Sequence, residues 1–157
     1  MNKDLDEALV AKYPKIFRDR NGDMRTTCMC WGFECGDGWY NIIDRLCSAI
    51  QNHIDNSYEQ IEWAKRWNAR VNDPDHEWTA IVPREERVIP EPVEQVVAIQ
   101  VKEKFGSLRF YFNGGDSYID GVVDMAENMS YVTCEVCGNA GKAENNGWVR
   151  TRCNEHE

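Results

Sequence analysis

No apolar stretch in this chain approaches the roughly 20 residues that a membrane-crossing helix requires, so no spanning segment is expected. The first residues, Met1-Asn2-Lys3-Asp4-Leu5-Asp6-Glu7, lack the basic segment and apolar core of a secretory signal. Positive charge is short as well: 18 Lys and Arg stand against 27 Asp and Glu, a net charge of −9. Such a chain repels nucleic-acid phosphates and lipid head groups at long range, and its acidity serves solubility or a basic partner. Histidine is scarce, at three residues. His76-Glu77 lacks the second histidine of a helical metalloprotease motif. The deaminase order, with His-x-Glu ahead of Pro-Cys-x-x-Cys, is missing too, since Thr133 precedes Cys134 and a histidine comes last. The extra catalytic histidine of a homing-type nuclease has no candidate. The glycine-rich loop Gly32-Phe-Glu-Cys-Gly-Asp-Gly38 has neither the lysine nor the hydroxyl of a phosphate-binding loop, and Glu34 and Asp37 would repel an anion. It reads as a tight connection. The cysteines number seven, an odd count that suits a reducing compartment better than a disulfide framework, and an intracellular location is expected.

What is present reads as one α+β body. Leu5, Leu9, Tyr13, Ile16 and Phe17 recur at helical spacing, with Pro14 placed to kink or end that helix near Tyr13. Asn21-Gly22 marks a turn. Trp39, Ile42, Ile43, Leu46, Ile50 and Ile54 form the stripe of a second helix, with Asp37 or Gly38 as its N-cap. A further segment over 57–71 carries Tyr58, Ile61, Ala64 and Trp67 and ends at Asn72-Asp73-Pro74-Asp75. Trp78 to Val82 suggests a short strand, and Pro83, Pro90 and Pro92 mark a linker. The clearest strand signal is 96–112. A type II′ turn at Gly106-Ser107 would pair Phe105 with Leu108. Val97, Ile99, Val101, Phe105, Leu108, Phe110 and Phe112 then share an apolar face, and Lys102, Lys104, Arg109 and Tyr111 the other. Glu103 falls on the apolar face, as a buried carboxylate or at the rim of the sheet. A last helix over 118–131 presents Ile119, Val122, Val123, Ala126 and Met129 inward. The expected architecture is an antiparallel β-hairpin or small sheet packed on two to three helices. Residues 1–132 form the body, and 133–157 a zinc ribbon or knuckle docked on the last helix.

The strongest chemical signal lies in the last 24 residues: Cys134-Glu-Val-Cys137, fifteen residues, then Cys153-Asn-Glu-His156. A two-residue gap lets both ligands of a tight turn reach one tetrahedral ion, and Cys₃His is a recurrent zinc set. Gly138 supplies the permissive backbone such a turn needs. A hairpin through Asn145-Asn146-Gly147 would return the second pair to the first. All four ligands come from protein, so a single zinc ion is expected to be structural rather than catalytic.

Weaker candidates surround this one. Cys28, Cys30, Cys35 and Cys47 are irregularly spaced for a second metal, and buried free cysteines are common. Cys35 precedes a helix start that would favour a thiolate, but no histidine is near in sequence to serve as its base. Trp31, Phe33, Glu34, Asp37 and Trp39 are either core or an interaction loop. Lys102, Lys104, Arg109 and Tyr111 interleave base and aromatic as single-strand binders do, against the net charge.

Three segments are specific enough to support a resemblance: Trp31-Gly-Phe-Glu-Cys-Gly-Asp-Gly-Trp39, Val101-Lys-Glu-Lys-Phe-Gly-Ser-Leu-Arg-Phe-Tyr111, and Cys134-Glu-Val-Cys-Gly138 with Gly147-Trp-Val-Arg-Thr-Arg-Cys153. Together they resemble a family of small uncharacterised bacteriophage and prophage proteins. That resemblance implies a phage origin, a place in the cytoplasm of an infected bacterial host and an accessory role, and it carries over no catalytic residue. The leading expectation is a non-enzymatic protein that binds a host protein, for instance to inhibit a defence system. The alternative is a nucleic-acid-binding zinc module using the hairpin face with Arg150 and Arg152. A small enzyme acting through Cys35, Asp37 or Glu103 is the third reading.

Overall fold

The structure is a computed structural model that describes residues 1–73, 85–145 and 147–157. The expected strand at Trp78–Val82 and the His76-Glu77 pair lie outside the described residues. The first helix, α1 (Lys3–Lys12), starts at Asn2, whose side chain accepts from the Leu5 N–H, and it stops before Pro14. The chain after it stays packed: Tyr13, Ile16 and Phe17 are buried, and the Ala98 N–H donates to the Ile16 carbonyl at 2.8 Å.

The next helix differs from the expectation. Two helical segments, split near residue 56, are one continuous helix α2 (Tyr40–Val71) of 32 residues. The Asn56-Ser57 polar step does not break it, because neither residue removes a backbone donor. At about 1.5 Å per residue it spans about 48 Å. Its first half buries Ile43, Leu46, Ile50 and Ile54 in the core. Its second half carries a strap: Asn68 pairs with the Arg87 backbone, and the Arg87 guanidinium lies 4.1 Å from the Trp63 ring. The expected N-cap also moves. Asp37–Trp39 form a 3₁₀ turn ahead of α2, and Trp39 stands at the cap.

Among the described residues the sheet has three strands in the order β1 (Phe33–Glu34), β2 (Val97–Lys104), β3 (Ser107–Asn113). β1 runs parallel to β2, with Phe33 opposite Val101, while β2 and β3 form the antiparallel hairpin. A two-residue strand carries no periodicity, so β1 leaves no trace in the sequence.

The register of the hairpin corrects the expected turn. Lys104 faces Ser107 and Glu103 faces Leu108, so the two turn residues are Phe105 and Gly106. Both have positive φ, 54° and 80°, the signature of a type I′ turn, whose twist matches the flanking strands better than other turns do. Phe105 therefore leaves the apolar face and stands in solvent. Glu103 reaches the turn, where its carboxylate accepts from the Gly106 N–H at 2.7 Å. A bulge between Ala98 and Gln100 takes up Ile99 as an extra residue, so Ala98 rather than Ile99 is fully buried.

Helix α3 (Ser117–Ser130) packs on β3 and α2, capped by Asp116, which accepts from the Ile119 N–H. Ile119, Val123 and Ala126 face the core as expected, but Met129 does not: it is exposed, with Met125. The C-terminal segment forms the antiparallel hairpin β4 (Lys142–Asn145) and β5 (Val149–Arg152). The described residues form an α+β fold, a small mixed sheet with three α-helices and a C-terminal Cys/His knuckle. No helix among the described residues is long and apolar enough to cross a membrane.

Candidate metal centre

The knuckle begins immediately after α3. The Cys134 carbonyl accepts from the Gly138 N–H at 2.8 Å, which closes a tight turn around Cys134 and Cys137, and Gly138 takes φ +79°. β4 and β5 then reverse the chain so that Cys153 and His156 return to this turn, with the His156 N–H donating to the Cys153 carbonyl at 2.9 Å. The three sulfurs and the imidazole nitrogen lie within 4.8 Å of one another. Cys137 Sγ and Cys153 Sγ are 3.7 Å apart, Cys134 Sγ and His156 Nδ1 3.7 Å, and Cys153 Sγ and His156 Nδ1 3.2 Å. A tetrahedral ion with metal–sulfur bonds of about 2.3 Å and metal–nitrogen bonds of about 2.0–2.1 Å has edges of about 3.6–3.8 Å. Two of the three distances match such an edge and the third is shorter, so the four donors lie close enough together to be compatible with one metal ion.

The electrostatics suit a cation. Burial alone would raise the Cys134 thiol, but the N–H groups of Cys137, Cys153 and Val136 point at its sulfur and outweigh burial, bringing its pKa down to about 6. Cys137 is raised instead. The Asn139 N–H favours its thiolate, but desolvation and the neighbouring Cys153 and Cys134 sulfurs oppose it. Two like groups in one site resist joint ionisation until a cation enters.

The knuckle is seated on the loop before α2, rather than on the last helix. The Gly38 N–H donates to the Glu135 carbonyl at 2.8 Å, and the Gly36 N–H to the Glu135 carboxylate at 2.9 Å. The indole N–H of the buried Trp39 donates to the Thr133 carbonyl at 2.9 Å. Arg152 completes the junction with an ion pair to Glu135 at 2.8 Å. The glycines of the Gly36-Asp-Gly38 loop serve this contact, since a Cβ on Gly38 would collide with the backbone of Cys134 and Gly138.

The other candidates separate. Among the described residues, Cys134, Cys137, Cys153 and His156 are the sole group of three or more metal-ligating side chains brought together. Cys28, Cys30, Cys35 and Cys47 do not converge. Cys35 is not an activated nucleophile: burial pushes its thiol up to about 12, and the deeply buried Cys47 is raised as well. The Trp31–Trp39 surface also breaks up, because the helical turn and β1 alternate its side chains. Phe33 and Trp39 are core, and Asp37 is taken by the Asn2 backbone and amide. Trp31 is 62 % exposed and Glu34 is exposed, bonded to Gln100. On the hairpin, Lys102 and Arg109 are register partners, and Lys102 lies near the Tyr111 ring. Arg109, however, is held by Glu127 at 3.1 Å and by the Tyr131 hydroxyl. Lys104 and Tyr111 remain exposed.

Two features escape sequence reading. One is the outer face of α3, where Tyr118, Met125, Met129 and then Val132 are exposed at helical spacing. The other is the pair of hairpin tips at Phe105 and Trp148. In comparisons with family models, curated proteins and solved structures, nothing matched the chain.

Proposed function

We propose that the chain is a non-enzymatic accessory protein, held together at its C-terminus by one structural zinc ion, that works by binding another protein. The observation that carries the metal assignment is the closed donor set. Three sulfurs and one imidazole nitrogen within 4.8 Å of one another are a complete ligand set for one zinc ion, leaving no open position for substrate or water. Zinc suits this set better than a hard cation, which prefers oxygen ligands.

A binding role is supported by what the surface displays. Large apolar side chains stand exposed on α3 and at the hairpin tips, on a chain of net charge −9 that favours a basic partner. The nucleic-acid reading loses support, because Arg109 is neutralised by Glu127 and Glu34 lies opposite Lys102 in the same sheet. Following the resemblance to phage proteins, the partner is a protein of the infected bacterial host, within its cytoplasm, and inhibition of a defence system is the corresponding role.

Affinity purification of the tagged chain from infected cells tests both halves. The expected result is one stoichiometric protein partner and about one zinc per chain. Zinc-loaded protein that recovers no partner would remove the binding role. Metal-free protein with an ordered C-terminus would remove the zinc.

A further inference from the structure

The two hairpin tips each present a largely exposed aromatic ring, and the chain pins the tips together. Phe105 is the first residue of a type I′ turn, where asparagine, aspartate or glycine normally accept positive φ. A phenylalanine at φ 54° carries backbone strain, and its ring gains no burial in return, being 68 % exposed. Strain that the fold does not use for packing concentrates at functional positions.

Gly106 shows why the tip is rigid. It is buried under β5, where the Thr151 hydroxyl donates to its carbonyl at 2.6 Å and Val149 Cγ1 would stand 2.8 Å from any Cβ. This contact fixes the sheet hairpin against the metal-bearing hairpin. Trp148, beside Val149 in the turn of that second hairpin, is 66 % exposed. Between the tips lies a cleft of about 480 Å³ lined by Glu103, Lys104, Phe105, Asn145, Trp148 and Val149.

We infer that this cleft is a binding site for a single aromatic side chain presented by a protein partner, inserted between Phe105 and Trp148. Ligand sites of a few hundred cubic ångströms take one compact group, not a helix. Aromatic walls favour a planar ring, stacked or edge-on, and buried aromatic anchors dominate protein interfaces. The lining has one cation, Lys104, which lies 5.6 Å from the Phe105 ring, and Glu103 balances it while holding the Gly106 N–H. A phosphate-bearing base would meet little compensating charge here and a net −9 beyond it. The inference rests on the protein-binding reading above and gives it an anchor.

The test uses the full, zinc-loaded chain and N-acetyl-tryptophanamide as a neutral probe, followed by amide and indole N–H chemical shifts. Saturable shifts confined to Phe105, Gly106 and the Trp148 indole are expected, with thymidine monophosphate inert. Trp148→Ala and Phe105→Asn should each weaken the probe about tenfold or more. Phe105→Asn should also raise the thermal midpoint, because asparagine accepts the left-handed backbone. A lowered midpoint would make Phe105 structural and overturn the proposal. So would probe shifts elsewhere or none, or a cleft that answers to the nucleotide and not to the probe. A partner captured equally well by wild type and both variants would overturn the cleft and leave protein binding standing. Probe binding intact with no captured partner would sink the binding role and leave the chemistry of the cleft.

Discussion

Gly38 and Gly138 face each other where the loop before α2 meets the Cys/His knuckle, and each fills the space the other's side chain would need. A Cβ on Gly38 would stand 2.5 Å from the Gly138 nitrogen, and one on Gly138 2.9 Å from the Gly38 carbonyl oxygen. The obstacles are backbone atoms, which cannot rotate away. The segment that carries the Cys/His cluster is thereby joined to the core by direct backbone contact.

Gly38→Ala should cost about 1–3 kcal/mol, the usual penalty of forcing an extra group into a packed site. Gly121, inside α3 with open space around it, is the contrast: Gly121→Ala should stabilise by about 0.5–1 kcal/mol through its higher helix propensity. Urea unfolding of both variants measures the difference, and two shifts of the same sign would refute the packing argument.

The thiols report the metal directly. With metal bound, a thiol reagent should reach the exposed Cys28 and, more slowly, Cys30, while burial protects Cys35 and Cys47. Chelation should release three further reactive thiols, those of Cys134, Cys137 and Cys153. Cys137→Ser should lose the ion and the order of the last hairpin, whereas Cys30→Ser should leave zinc content unchanged. A thiol count that chelator does not alter would contradict the assignment.

Trp39 couples core to knuckle through one hydrogen bond. Its indole N–H donates to the Thr133 carbonyl, immediately before the first ligand. Trp39→Phe keeps most of the apolar volume and leaves that carbonyl without its partner. A loss of about 1–3 kcal/mol is expected, together with faster zinc release to a chelator. Unchanged release kinetics would mean that the bond does not steady the site.

Asp44 should shape the acid limb of stability. It is nearly buried in α2; burial pushes its carboxyl upward, but hydrogen bonds from Lys12 and the Tyr13 hydroxyl outweigh burial and hold it below its ordinary value of 3.8. The carboxylate therefore stabilises the fold above about pH 3.8, and this contribution drains away as pH falls through the lower folded value. Tyr13 is shifted the other way, raised above 10.0 by burial and by Asp44, so its neutral phenol supports the fold until alkaline pH. Asp44→Asn should lower the thermal midpoint at neutral pH and flatten its fall below about pH 4. Midpoints that track the wild type at every pH would rule this out.

Much of the architecture was legible because it rests on local chemistry. The stripe from Trp39 to Ile54 is buried as its 3.6-residue period requires, Ile42 only partly, and Pro14 ends the first helix by removing a donor. The Cys/His cluster was legible for a different reason: two pairs at tight-turn spacing leave little freedom in where their side chains point. The features that failed to read are set by neighbours distant in the chain. The strap over residues 85–93 lies along α2 past Ser57, and its Val93 N–H donates to the Ser57 hydroxyl. The parallel strand Phe33–Glu34 exists because Val101 and Lys102 lie beside it.

The hairpin tip shows the division most sharply. Composition and spacing alone determined an α+β chain with an acidic surface and one closed Cys₃His set. They also marked 96–112 as a hairpin, but they put Phe105 on the core face, since a phenylalanine at alternating spacing ordinarily belongs there. Only the tertiary structure moved the turn by one residue, and the reason is contact. Gly106 is the turn residue small enough to pass under β5, and the ring that precedes it is left in solvent, lining one cleft with Trp148.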